Sequence, residues 1–230
     1  MRIRHHASLG LAATACLVLS GCTNAADWNA NRSSQIHSFD TSSIQAQPDI
    51  IAKLPQGALE DGVLDVAAST DYAPAEFLDP SGTAVGYDVD LTNAIAAVLG
   101  VKGKVHTAEF DSIIASIGSK YDAGISSFTV TPERTAEVDM TAYINVGSRF
   151  NVQAGNPKGV EPSDHLQLCG RTIGVQVGTA QETTMRDAAD KCAQAGKPVL
   201  SVRSYSKQSE ATTGLVGGTI DATYSDSTVA

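Results

Sequence analysis

A chain of 230 residues, 42% hydrophobic and 18% charged, is long enough to bury a core in one or two domains and too apolar to be disordered throughout. Its formal net charge of -9 argues against a nucleic-acid partner, because neutralising phosphates takes clustered Lys and Arg, and no such cluster occurs. Five His, none paired at ligand spacing, argue against zinc; no metal and no cofactor are expected.

The N-terminus reads as a targeting segment. Arg2 and Arg4 precede an apolar run, Leu9 to Leu19, that is too short to span a bilayer as a mature helix, and Leu19-Ser20-Gly21-Cys22 follows. This resembles a bacterial lipoprotein signal, residues 1–21, with cleavage before Cys22 and acylation of that Cys. The alternative is an ordinary secretory signal beside an incidental Cys22. Residues 22–47, rich in Asn, Ser, Ala, Asp and Gln, read as a flexible tether, with Pro48 to Leu54 as a short helical turn into the fold.

Strand and helix signals then alternate. Val63 to Ser69 is a β-branched apolar run suited to a buried strand, and Glu76-Phe77-Leu78 enters a turn at Pro80-Ser81-Gly82. Asp88 stands where it could cap a helix whose apolar face is Leu91, Ala94, Ile95, Val98 and Leu99, ended by Gly100. Lys104 to Ala108 is a predicted strand. Phe110, Ile113, Ile114 and Ile117 form a second apolar helix face before Gly118.

The run Asp122 to Phe128 is a strand ending in hydroxyls, after which Pro132 sets φ for a short helix with Arg134 one turn in. Short hydroxyls, backbone groups freed at a strand end and a guanidinium suit a small carboxylate, and the natural ligand is an amino acid or similar zwitterion. The competing reading makes Ser126, Ser127 and Thr129 turn hydroxyls and Arg134 a solvated charge.

Tyr143 to Gln153 reads as extended, and a second alternating unit follows. Pro162 to Leu168 is a short helix and Arg171 to Val177 a buried strand. Met185, Ala188, Ala189 and Cys192 make a helix face closed by Gly196, and Val199 to Tyr205, Lys207 to Val216 and Asp221 to Ser225 are strand, helix and strand. Between Val177 and that helix, Gly178 leads to free N–H groups of Thr179, Ala180 and Gln181, a ready carboxylate receptor; the alternative is a Gly turn with Thr179 as N-cap. Alternation of this kind favours mostly parallel sheets with ligands beyond the carboxyl ends of the strands, and two such units leave a cleft between them.

Tyr72-Ala73-Pro74, Gly86-Tyr87-Asp88-Val89-Asp90-Leu91, Ser126-Ser127-Phe128-Thr129 with Thr131 to Arg134, Gly174 to Glu182 and Tyr224-Ser225-Asp226 occur in that order. Together they resemble the polar amino-acid family of extracellular solute-binding proteins that feed ABC importers, from about Leu64 to the C-terminus. The resemblance implies an α/β, two-lobed type II periplasmic-binding fold, each lobe a mixed, mostly parallel sheet flanked by helices, with lobe 1 at 48–146 and lobe 2 at 147–230. It implies that Arg134 holds the ligand carboxylate with the N–H groups of Thr129 and Ala180. The ammonium would meet the Ser127 carbonyl, the Thr129 hydroxyl and Asp226. Tyr72 and Phe77 would wall the side-chain pocket, bordered by Ser126 and Gln181. It further implies a monomer, exported and lipid-anchored, that hands its ligand to an ABC permease in the cytoplasmic membrane, and no enzyme activity.

Two departures matter. Members that bind basic amino acids often carry an acid three residues before the Tyr, where this chain has Ser69; Asp71 or Glu76 are the substitutes at hand. Members also continue past the position of Ala230, so the second lobe reads as incomplete. With Cys16 in the signal and Cys22 in the lipobox, Cys169 and Cys192 remain in an exported domain, and a disulfide is expected there, against two buried free thiols. The competing classes are an enzyme on the same fold, a dehydratase or a murein-cleaving lobe with Glu76 as its acid or base, and a lipid-anchored sensor or adhesin.

Overall fold

The computed structural model describes residues 38–229; the signal segment, Cys22 and the start of the tether lie outside the described residues. Strand β1, Val63–Ala68, carries Leu64, Val66, Ala67 and Ala68 buried and forms the centre of a three-stranded parallel sheet. It pairs with β5, Lys102–Thr107, from Val63↔Lys102 to Ala68↔Thr107, and on its other side with β6, Ala123–Gly124. A small antiparallel sheet, β2 (Asp71–Tyr72), β3 (Glu76–Leu78) and β4 (Ala84–Val85), is inserted after β1. Its second turn is fixed by Asp79, whose carboxylate accepts from the N–H groups of Ser81 and Thr83 at 2.8 and 2.9 Å, an arrangement native to Asp at the head of a turn.

A short helix α1, Pro48–Ile51, precedes the first sheet. The described part of the expected tether, residues 38–47, touches α2 (Tyr87–Leu99) at both ends. The N–H of Phe39 donates to Asp90 and that of Gln47 to the Val98 carbonyl, both at 2.8 Å. Helix α2 begins at Gly86, whose φ of +121° and whose absent Cβ are both required: a Cβ there would stand 2.2 Å from the Ala75 carbonyl oxygen.

Asp88 is therefore the second residue inside α2 and not its cap. The buried face of the helix is Asp88, Val89, Thr92 and Ala96, while Ile95 is 37% exposed. The helix is rotated from the apolar stripe expected because Asp88 and Thr92 are satisfied inside. Thr92 donates to the Asp88 carbonyl at 2.9 Å, and the Asp88 carboxylate accepts three hydrogen bonds from residues outside the helix. Helix α3, Phe110–Ser116, buries Phe110 and Ile113 as its spacing predicts.

After a short α4, Pro132–Thr135, the chain enters the second sheet. The expected extended run 143–153 contracts to β7, Ser148–Asn151, and the expected helix at 162–168 to a 3-10 turn, His165–Leu168, capped by Asp164. Strands β8 (Thr172–Gln176), β9 (Ser201–Tyr205) and β10 (Ala222–Asp226) join β7 in the order β7-β10-β8-β9, with only the β10–β7 pairing antiparallel. Helix α5, Ala180–Gln194, lays Met185, Ala188 and Cys192 on this sheet beside Ile173, Val175 and Ala222. Cys192 is bonded to Cys169, with Cα atoms 5.6 Å apart, so α5 and the end of the 3-10 turn share one covalent tie. Helix α6, Gln208–Val216, closes the unit.

The two mostly parallel sheets with flanking helices are the α/β, two-lobed arrangement that the sequence implies. No helix among the described residues is long and apolar enough to cross a membrane.

Candidate functional site

The carboxyl ends of β1, β6, β8 and β10 converge. Beyond β6 the chain turns through Ser126 and Ser127, the latter held at φ +47°, a left-handed conformation that a non-glycine residue keeps only when its surroundings impose it. Asp88 imposes it: one carboxylate oxygen accepts from the Ser127 N–H at 2.9 Å and from its hydroxyl at 3.0 Å, and the other from the Tyr143 hydroxyl at 2.7 Å. Ser126 is pinned as firmly. Its hydroxyl accepts from the Ser69 N–H at 3.0 Å and donates to Glu76 at 2.5 Å.

Glu76 is wholly buried, and burial first, then the nearby Asp88 charge, pushes its carboxyl up to about 10. Both effects favour the neutral acid at neutral pH. Its Oε2 has no hydrogen-bond partner among the described residues.

Thr131 caps α4 through its hydroxyl, and the fixed φ of Pro132 starts the turn that aims Arg134 inward. The guanidinium donates to the Thr129 carbonyl at 2.7 Å and, across to the second sheet, to the Gly178 carbonyl at 2.9 Å. It lies 5.2 and 5.6 Å from the rings of Phe128 and Phe110.

From the opposite side, β8 ends at Gln176 and Gly178 turns into α5 at φ +76°. A Cβ at Gly178 would stand 2.8 Å from the Asp111 Cβ of α3, so the residue type is set by close approach of the two halves. Thr179 caps α5, its hydroxyl accepting from the Glu182 N–H at 3.1 Å. Gln181 donates to Asp226 at 2.7 Å and to Ser148 at 2.8 Å. Asp226, 5% exposed, has its carboxyl held above the usual range by burial, a shift opposed by Tyr72, Gln181 and Arg134. The Asp226 N–H donates to the Tyr72 hydroxyl at 3.2 Å, again across the two halves.

Tyr72, Ser126, Ser127, Thr129, Arg134, Thr179, Ala180, Gln181 and Asp226 all line one narrow cleft. Phe77 is not among the lining residues. Alternation along β3 turns Glu76 into the interior and Phe77 to the other face, so it does not wall the cleft. Phe110 and Gln176 also line the cleft, and the sequence reading does not find them there. Phe110 reads from its spacing as part of a helix face, and the signal for Gln176 is its place as the last residue of a buried strand. Among the described residues no group of three or more His, Cys, Asp or Glu side chains could hold a metal ion.

Opposite charges at one strand-end cleft are suited to a zwitterion. The model of the bacterial extracellular solute-binding proteins, family 3, matches residues 64–230. The chain belongs to that family. It is 29% identical over 225 residues to the arginine-binding protein ArgT of Corynebacterium glutamicum, covering 97% of this chain and 71% of the relative. An ancestral arginine-binding protein bound to arginine aligns at a TM-score of 0.66 and 33% identity, over 73% of this chain and 71% of that one. An ancestral arginine-binding protein bound to glutamine aligns at 0.65 and 34%, over the same shares. This family member thus has the type II fold of amino-acid binding proteins.

Proposed function

We propose that this family member is the substrate-binding component of an ABC importer, capturing an amino acid or similar small zwitterion between lobes at 48–146 and 147–230 and delivering it to a permease. The observation that carries the reading is that Arg134, from the segment after the first sheet, and Asp226, from the end of the second, line a single cleft. The ligand carboxylate goes to Arg134 and the N–H groups of Thr129 and Ala180. The ammonium goes to Asp226 with the Ser127 carbonyl and the Thr129 hydroxyl. Charge-assisted hydrogen bonds of about 1.5–3 kcal/mol each, less the cost of ordering, support a micromolar dissociation constant, about -8 kcal/mol.

Binding without chemistry is favoured on two counts. The relatives carry the names of binding proteins, and Glu76, the acid or base of the competing enzyme reading, stands behind Ser126 and outside the lining. Export with an acyl anchor at Cys22 rests on Leu19-Ser20-Gly21-Cys22.

The test is calorimetry of the protein against L-amino acids, repeated on Arg134→Ala. Affinity for the best ligand is expected to fall at least tenfold; unchanged binding would remove Arg134 from the site and the reading with it.

A further inference from the structure

The charges inside the cleft fix more than the backbone end of the ligand. Among the described residues, Arg134 and Asp226 are the only charged side chains that line it, so its formal charge is zero before any ligand enters. A zwitterion uses both: its carboxylate faces the guanidinium and its ammonium faces the carboxylate. No ionised group then remains for the side chain.

Three acids near the cleft, none of them lining it, are already committed. Asp71 turns away from it, its Oδ2 accepting from the N–H and hydroxyl of Ser209 at 3.1 and 3.0 Å at the start of α6, and its Oδ1 from Ser69 at 3.0 Å. Asp88 carries three hydrogen bonds from Ser127 and Tyr143. Glu76 stands behind the Ser126 hydroxyl and outside the lining.

What the cleft offers in their place is neutral and polar. Gln176, only 2% exposed, donates through Nε2 to the Ser69 hydroxyl at 3.2 Å and to the Ser206 carbonyl at 3.3 Å. That leaves its Oε1 accepting nothing among the described residues, on a side chain that lines the cleft. Ser69 also binds Ser126 through its N–H, so Ser126 and Gln176 are joined through one residue and form a continuous polar wall beside Tyr72. An acceptor that lines the cleft rewards a donor, and a desolvated cation without a carboxylate partner is penalised far more than an uncharged donor of the same length.

We propose that the ligand's side chain is uncharged and donates hydrogen bonds, of carboxamide or ureido type, and that Gln176 together with Ser126 determines this specificity. The assignment rests on the amino-acid reading above.

Calorimetry of the full chain with glutamine, citrulline, arginine, lysine and glutamate decides it. Citrulline matches arginine in length and differs in charge. Glutamine or citrulline is expected to bind at least tenfold tighter than arginine, lysine and glutamate. Arginine or lysine binding as tightly as the neutral pair would overturn the specificity while leaving the amino-acid reading intact; a chain that binds no amino acid overturns both. Gln176→Glu places a carboxylate on the same wall, and the ratio of citrulline to arginine affinity is expected to drop at least tenfold. A folded variant with an unchanged ratio removes Gln176 from the role. Should that variant fail to fold, the comparison of citrulline with arginine on the unaltered chain still decides the specificity.

Discussion

Glu76 shows how a single side chain ties the cleft to pH. Its folded-state value of about 10 lies above the ordinary 4.5, so the stability it contributes is complete below about pH 4.5 and is lost as pH rises toward 10. One such group changes stability by about 1.4 kcal/mol per pH unit within that window. Glu76→Gln keeps the shape and the hydrogen-bonding capacity of the neutral acid but cannot ionise. Thermal melts between about pH 5 and 9 are expected to show the unaltered chain losing stability relative to Glu76→Gln, step by step with pH. Parallel curves would mean that Glu76 is ionised in the folded protein. Ser126, which meets this acid, is also a lining residue, so one hydroxyl touches both the acid and the binding wall; its hydrogen bond opposes the rise that burial and Asp88 cause.

Among the elements, local signals are enough wherever one force acts alone. Strand β1 follows from its apolar run, α3 and α5 from their apolar spacing, and α4 from Thr131-Pro132. They fail where two faces compete. Leu91, Ala94, Ile95, Val98 and Leu99 form the more apolar stripe of α2, yet the helix turns Asp88 and Thr92 inward, because partners far along the chain, Ser127 and Tyr143, satisfy Asp88. No periodicity encodes those partners. Phe77 and Gln176 fail similarly: the interior side of β3 goes to the acid, and the polar residue in Val175-Gln176-Val177 meets Ser69 across 107 positions of sequence. Most of the cleft is legible because it lies at strand ends, where the position of a residue rather than its long-range contacts decides its exposure to ligand.

The tie between the 3-10 turn and α5 can be tested directly. A disulfide joining residues 23 positions apart stabilises by about 3 kcal/mol on the loop-entropy account. Dithiothreitol is expected to lower the melting temperature of the oxidised protein measurably. No shift would show that Cys169 and Cys192 contribute nothing as a pair.

For the whole molecule, the binding reading requires a protein outside the cytoplasm, held where a permease can reach it. Cys22→Ser removes the acceptor proposed for acylation. Expressed in a bacterial host, the unaltered chain is expected in the membrane fraction and the variant in the soluble fraction; equal partitioning would discard the anchor and leave the cleft untouched. Both outcomes concern location alone, since the anchor is proposed at residue 22 and the lining residues begin at Tyr72.

The grip of Asp71 on the start of α6 has a kinetic consequence. That carboxylate belongs to the first sheet's insertion and the helix to the second half, and Arg134, Gln176 and Asp226 add three more bonds across the same divide. A metabolite reaching this arrangement meets a shut door, and the bonds that shut it must break before the encounter becomes productive. Should these bonds hold the halves together before ligand arrives, stopped-flow capture is expected to level off as metabolite concentration rises; a rate that stays proportional to concentration would show the halves already parted.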